Sequence, residues 1–529
     1  MSTDAERLVR FGPGSTTLAP SERFGNKASC LARMAALGLP VPPGFALSID
    51  VCHDYFASGR VVPPYLADHV RQGISHLETA TGLKFGNPRR PLLVSVRSGS
   101  PVSMPGMMTT VLNVGITRET LPGLILRRGN PRFAWDSYRR LLENFGEVLG
   151  VDPGLLDDAL RATMSSVGAR EQSEMDFRAL RDLATAYERI LRRVSGTPFP
   201  EDAREQLLLA TRSVLDSWMS PRAVQFRERN HLDRVGGTAI TIQAMVFGNL
   251  GRDSGAGVMF TRNPWNGENR PLIDFKLAVQ GEDVVSKSRR TGRDDLARAF
   301  PDILRDLTNY GRRLEAEFRD MQDVEFTVEE RRLYLLQTRS GAREPLAALR
   351  IALDLADEGR IGRDEARSRL AELDLDRIVV HEMPTPREPL AQGEPASLGF
   401  ATGAVVFSPA EAVEAARHGP VILVKDDLMP DDLTALESAV GAVMPRGSRT
   451  SHAIVVARQM GKAVVVNCPR VEVDPLVGRF RVGETEVRAG DTISIDGATG
   501  RIYTGPVEFE TRRPEELLGR ARSLGLAPA

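Results

Sequence analysis

The sequence predicts a multidomain α/β protein, with a helical stretch inserted in its first mixed region and a compact α/β unit towards its end. Three observations predict it. At 529 residues the chain is long enough for three or four domains, on a prior of roughly 150 residues each. Short apolar runs punctuated by Gly and Pro fill residues 1–120 and return at 236–340, as strands and turns require. Between them, residues 130–235 lose that punctuation and take up helical spacing, as at Leu180, Leu183, Tyr187, Ile190 and Leu191.

Taken in order, Phe24-Gly25-Asn26-Lys27-Ala28 is a small-residue turn opening into a helix that carries Cys30, Leu31, Met34 and Leu37. Gly38 to Phe45 alternates Gly and Pro with apolar residues. Val94-Ser95-Val96 is a β-branched strand that delivers Arg97 to its end, before a loop of Ser, Gly, Pro and Met reaching Thr110. Ala239 to Phe247 reads as a strand, Gly248 to Gly257 as a Gly-rich connection and Val258 to Thr261 as another strand. Asp323 to Val328 and Leu333 to Arg339 form a hairpin with period-two alternation about a turn at Glu329 to Arg332. Residues 341–390 are helical and charged, and are expected to be a linker. A compact α/β unit is expected over about 391–510, from Gly399 to Gly497 at its clearest, followed by a polar helix or tail at 511–529. There are no internal repeats.

Composition restricts the partners. Hydrophobic residues make up 42% and charged residues 26%, as in ordinary globular proteins, and the formal net charge of −1 gives no electrostatic case for nucleic acid or membrane. Only six of the 69 basic residues are Lys, so each Lys stands out. Cys30, Cys52 and Cys468 show no CxxC spacing, which points to a reducing compartment and to neither a disulfide framework nor a zinc site. The first residues lack the basic and apolar regions of a signal peptide, and no run approaches the roughly 20 apolar residues that span a bilayer. A cytoplasmic location is the expectation.

Four segments carry chemistry. Lys27 in its turn can neutralise phosphate while the backbone approaches closely. Arg97 can meet phosphate in a bidentate fork, and the loop with Ser98, Gly99, Gly106 and Thr109 can close over a ligand. On the hairpin, Val324, Phe326 and Val328 face one side, so Asp323 and Glu325 share the other; Gln337 and Arg339 share a face of the return strand. A hard cation such as Mg²⁺ accepts carboxylate and amide oxygens and keeps substrate phosphates as further ligands, so Glu325 and Gln337 suit the metal and Arg339 the phosphate. Last, Arg446-Gly447-Ser448-Arg449-Thr450-Ser451-His452-Ala453 sets one histidine before the apolar run Ile454 to Ala457, read as a short helix capped by Thr450 or Ser451. In that first turn the helix dipole favours negative charge, which suits an imidazole carrying a phosphoryl group. Each segment alone also fits a plainer role: a surface turn, a solvated hairpin face, a histidine that caps or packs.

Together they resemble the pyruvate, phosphate dikinase family. The resemblance rests on Ser95 to Gly115, Gly237 to Glu268 with its Phe260-Thr261-Arg262-Asn263-Pro264, Gln280 to Val285, Asp323 to Arg339 and the histidine loop, and covers roughly residues 8–508. It implies an ATP-grasp nucleotide-binding domain at about 1–340, with a helical subdomain at about 130–235, and a swivelling phosphohistidine domain at 391–510. Carried over by position, Lys27, Arg97, Glu325, Gln337 and Arg339 grip ATP and Mg²⁺, with Arg139 and Glu282 as further nucleotide contacts. His452 matches the phosphorylated histidine, with Arg97 and Arg339 as its catalytic partners, and Thr450 matches a regulatory threonine. The implied reaction uses ATP and inorganic phosphate, pyrophosphorylates then phosphorylates His452, and releases AMP and pyrophosphate.

The departures shape the expectation about the acceptor. The family continues into a barrel that binds phosphoenolpyruvate and pyruvate, whereas this sequence ends at Ala529 and leaves no room for the roughly 250 residues of a (β/α)₈ barrel. The acceptor is therefore expected outside this chain: pyruvate on a separate barrel subunit, or a different small molecule or protein. A shortened copy of a longer protein would read the same way. Because the barrel makes much of the family's dimer contact, a monomer is expected. Gly447-Ser448-Arg449 stands where the family has Gly-Gly and an apolar residue, and Asp274 where Glu is expected. A non-catalytic nucleotide-binding regulator is a third reading, against which the charged set at 27, 97, 325, 337, 339 and 452 counts.

Overall fold

The computed structural model describes residues 7–525 apart from 103, 105–106, 233–234, 282–290, 398, 427–431, 448–453, 455, 458–459 and 476. The chain gathers into two compact units: Met1–Gly255 with Glu325–Arg339, and Ala256–Val324 with Ser340–Ala529. The molecule is mixed α/β and multidomain, with five helices in the stretch read as helical and strands on either side of it.

The first unit is built on a five-stranded antiparallel sheet, ordered Leu8–Phe11, Gly44–Leu47, Ala239–Ala244, Val94–Gly99, Thr110–Val114. Alternation along each strand divides its two faces. Phe45, Leu47, Val94, Val96, Val111, Ile240 and Ile242 belong to one fully buried apolar cluster, which they share with Tyr138, Leu141, Leu142, Phe145, Leu183 and Tyr187 of the helical layer. Ser95, Arg97, Gly99, Thr241 and Gln243 occupy the opposite face of the sheet, and helix Ser21–Ala36 packs against these strands. A polar row thus crosses a sheet whose other face is all core.

The helical layer follows from local signals. Helices Pro131–Val148, Pro153–Val167, Phe177–Ser195, Ala203–Ser217 and Pro221–Arg229 each begin behind an Asn, Asp or Ser whose side chain accepts a backbone N–H of the first turn. Three start on Pro, which lacks the donor that would go unused there. Gly168 and Gly196 end two of them in the left-handed conformation. Leu180, Leu183, Tyr187 and Leu191 are buried at the expected spacing, with Ile190 half-buried at the edge of the stripe.

In the second unit, strand Leu272–Leu277 pairs antiparallel with Thr291–Gly292, and helix Pro301–Phe318 follows. Arg262 of the Phe260–Pro264 segment is fully buried, held by Glu315 at 3.0 Å and Glu358 at 2.7 Å. That segment ties helix Pro301–Phe318 to the linker helix Pro345–Asp357. The linker holds two α-helices, Pro345–Asp357 and Arg363–Leu370, which share an apolar cluster with Leu517, Leu518 and Ala521 of the last helix, Glu515–Ser523. The polar residues at the end of the chain are therefore the outer face of a docked helix.

Between these comes an eight-stranded sheet. Its central strands Phe400–Val406, Val421–Val424, Gly441–Met444 and Ala463–Val466 run parallel; the last three are buried throughout, as expected where a sheet is covered on both faces, while Phe400–Val406 alternates between half-buried and buried. Residues 445–462 connect the last two of these parallel strands. Within that connection His452 and Thr450 lie outside the described residues, while Ile454 and Ala457 are fully buried. A Cβ on Gly447 would stand 2.6 Å from Cβ of Met444, so the connection leaves the strand through a position that tolerates no side chain. The chain enters and leaves this α/β unit through the antiparallel pair Val380–Glu382 and Glu510–Arg512.

Candidate functional site

Strand Val94–Gly99 carries the site out of the core. Val94 and Val96 are fully buried, Arg97 and Ser98 half-buried. Helix Ser21–Ala36 is interrupted at Gly25, whose φ of 74° and ψ of 158° are not helical. A Cβ at Gly25 would collide with the carbonyl of Gly99, so only glycine lets the two segments touch. The contact is fixed by Asn26 N–H donating to Ser100 O at 3.0 Å and Lys27 Nζ donating to Ser98 O at 3.0 Å. The regular helix resumes beyond Gly25 with Asn26 and Lys27 in its first turn, where unpaired N–H groups and the dipole favour an anion.

The hairpin supplies the other wall. Its turn, Glu330-Arg331, has φ of 47° and 63°, and is held by Glu330 N–H on Ser254 Oγ at 3.0 Å and Arg331 N–H on Asp253 O at 2.9 Å. Val324, Phe326 and Val328 are buried as one face. The expected polar face is not uniformly solvated, because Asp323 is buried, as are Thr327 and Glu329 further along, the latter paired with Arg128. Glu325 remains half-exposed and, with Gln337 and Arg339 from the return strand, faces a cleft of about 250 Å³. Lys27, Asn26, Ser98, Gly99, Ser100, Val102, Met104, Met108, Thr110 and Thr338 complete its lining.

Five expected ligand-gripping residues therefore come together. Arg97 lies beneath them, its Nη2 donating to Gln337 Oε1 at 3.2 Å and standing 3.6 Å from Glu325 Oε2. Two hard oxygen donors converge on one guanidinium, which is the donor set a Mg²⁺ completed by phosphate oxygens requires. Three cations against one carboxylate leave the cleft electropositive. Desolvation of its ammonium group, then repulsion from Arg97 and from Arg339, holds Lys27 well below the usual lysine pKa despite the opposing pull of Glu325. An arriving phosphate relieves that penalty.

Other expected residues stand elsewhere. Arg139 is not in the cleft: it is buried in helix Pro131–Val148, pairing with Asp136 at 3.1 Å and Glu143 at 2.6 Å. Burial would raise Asp136, but Arg140 and then Arg139 outweigh it and keep that carboxyl well below the usual range. The spacing of Arg139 four residues before Glu143 and three after Asp136 already suited such an intrahelical pair. Asp274 is buried within its strand. Glu282, Thr450 and His452 lie outside the described residues. Asn26, Thr110 and Thr338 line the cleft without having been singled out; their only signal was adjacency to a charged or looped neighbour.

Residues 60–299 match the pyruvate phosphate dikinase AMP/ATP-binding domain, and residues 418–500 match the mobile domain of PEP-utilising enzymes. Pyruvate, phosphate dikinase of Rhizobium meliloti (strain 1021) is 40% identical over 523 residues, covering 95% of this chain and 58% of that protein. Pyruvate, phosphate dikinase 2 of Zea mays is 39% identical over 510 residues, with the same two coverages. That of Clostridium symbiosum is 38% identical, covering 96% of this chain and 59% of its own length. The chain thus spans about 58% of the length of such relatives.

Proposed function

We propose that this chain, which carries the nucleotide-binding and mobile domains found in pyruvate phosphate dikinases, captures a phosphoryl group from ATP on a histidine for delivery to an acceptor. The observation that carries the reading is the convergence of Lys27, Arg97, Glu325, Gln337 and Arg339 on one cleft, from segments separated by up to the length of an entire domain. In this reading Met1–Gly255 with Glu325–Arg339 holds an ATP-grasp site, and the α/β unit at about 391–510 is a swivelling carrier of His452.

The chemistry follows from the groups present. Neutral His452 attacks the β-phosphorus of ATP in line; the bond from that phosphorus to the α–β bridging oxygen breaks, and AMP leaves with the oxygen. Inorganic phosphate then attacks the terminal phosphorus of the pyrophosphorylated imidazole, giving pyrophosphate and phospho-His452. Arg97 and Arg339 spread the charge that develops on the phosphoryl oxygens, and Lys27 meets the same oxygens from the helix terminus. Glu325 and Gln337 would hold Mg²⁺, which neutralises phosphate charge when bound. Glu282 is assigned to the nucleotide and Thr450 to regulation of the histidine.

Pyruvate is the acceptor suggested by the named relatives, and a different small molecule is the alternative. The protein mixed with β-³²P-ATP, Mg²⁺ and phosphate should acquire acid-labile label, absent in His452→Ala. Label that persists in that variant ends the proposal. Chasing labelled protein with pyruvate and with a metabolite panel then separates the two acceptors.

A further inference from the structure

The polar face of the first sheet contains an atom that the ligand-gripping set does not use. Thr241, on strand Ala239–Ala244, is fully buried, and its Oγ1 has no hydrogen-bond partner among the described residues. A buried hydroxyl without a partner forfeits its hydration for nothing in return, so its retention calls for a reason. Thr241 is the residue directly opposite Arg97 in the antiparallel register. Residues so paired present their Cβ atoms on one face about 4.5–5.5 Å apart. Arg97 Nε is also buried, and it too has no partner. The guanidinium spends its Nη2 on Gln337 and Glu325, and its Nε–H is left pointing at nothing assigned. One unpaired acceptor and one unpaired donor therefore stand on facing residues of adjacent strands, beside the cleft-lining residues Ser98 and Gly99.

We propose that Thr241 is a positioning residue for Arg97: its hydroxyl accepts from a buried water that in turn accepts from Arg97 Nε, and so fixes the plane of the guanidinium that meets phosphate. The inference rests on the nucleotide-site reading given above. An arginine side chain has four rotatable bonds before its fork, and bidentate phosphate contact needs that fork held in one plane. Anchoring Nε fixes the plane of the fork without engaging Nη1 or adding to the contacts of Nη2. It also accounts for a hydroxyl where an apolar side chain of the same shape would pack without penalty.

Two variants separate this from an idle hydroxyl. Thr241→Val keeps the shape and removes the oxygen; Thr241→Ser keeps the oxygen. Two readouts are taken on the full chain: the Nε–H resonance of Arg97, assigned by its loss in Arg97→Lys, and ATP affinity by calorimetry. Thr241→Val should shift the resonance, speed its exchange with solvent and weaken ATP binding about tenfold, the scale of one hydrogen bond to a charged group. Thr241→Ser should restore both to within twofold. In an Arg97→Lys background, which has no Nε, Thr241→Val should weaken ATP binding no further. If Thr241→Val raises the melting temperature and leaves the resonance and affinity unchanged, the hydroxyl is idle and the proposal is overturned. A shifted resonance in a protein that binds no ATP at all would uphold the positioning role and remove the nucleotide reading instead.

Discussion

At the scale of single residues, the site depends on a contact between two glycines' backbones. Gly25 breaks its helix so that Asn26 and Lys27 can lie across the end of a strand. Lys27 is the residue most changed by the result, with its pKa lowered by desolvation and by Arg97. Between that lowered value and the usual lysine value, the folded protein holds fewer protons there than the unfolded chain. Through this group alone, stability rises with pH across that window. A bound phosphate restores the cation, so nucleotide binding should take up a proton and weaken as pH rises through the same window. Calorimetric titrations with ATP in buffers of different ionisation heat should show this uptake, and Lys27→Met should abolish it; identical heats in all buffers would count against it. The sequence singled out Lys27, Arg97, Glu325, Gln337 and Arg339 as candidates by residue type and neighbourhood, and the fold brings them together. It was silent on Thr241, because a threonine in a β-branched strand carries no signal until its strand partner is known.

Elements show where periodicity succeeds and where it stops. The helical layer was legible because apolar spacing and N-terminal caps agree over five consecutive helices, two of which also end on glycine. The hairpin was legible as a hairpin, and the shared face of Gln337 and Arg339 followed from period two. Its opposite strand misleads at Asp323, which is buried beside the half-exposed Glu325, since alternation states which face a residue is on and not whether that face is covered. Arg139 differs for another reason: the resemblance carried it to the nucleotide by position, whereas here it sits in a helix, locked between Asp136 and Glu143. Arg139→Met should therefore act on stability, lowering it by roughly 3 kcal/mol or more through the carboxylates left behind. Folded Arg139→Met should retain ATP affinity within twofold, a result read by denaturant melts beside calorimetry. A large affinity loss with unchanged stability would return Arg139 to the nucleotide.

For the whole molecule, composition and length indicated several α/β bodies but not how the chain is shared among them. Residues 325–339 gather with the first 255, across a long intervening segment. No local pattern encodes such a return. The same holds for the last helix, whose polar composition hid Leu517, Leu518 and Ala521 packed on the linker helices. That docking predicts the behaviour of a nicked chain. Cleavage at a protease site introduced within 384–388 should leave two fragments that co-elute in gel filtration. Leu518→Asp, which puts a charge into the apolar cluster, should let them separate. Fragments that part without that substitution would contradict the packing. The strand pair Val380–Glu382 and Glu510–Arg512 extends this consequence. Because its way in and its way out run side by side, the intervening body is topologically a cassette, seated in its host at a single doorway. Such a cassette can be lifted out, or exchanged for a homologous one, by splicing at two neighbouring points without rerouting any other part of the backbone.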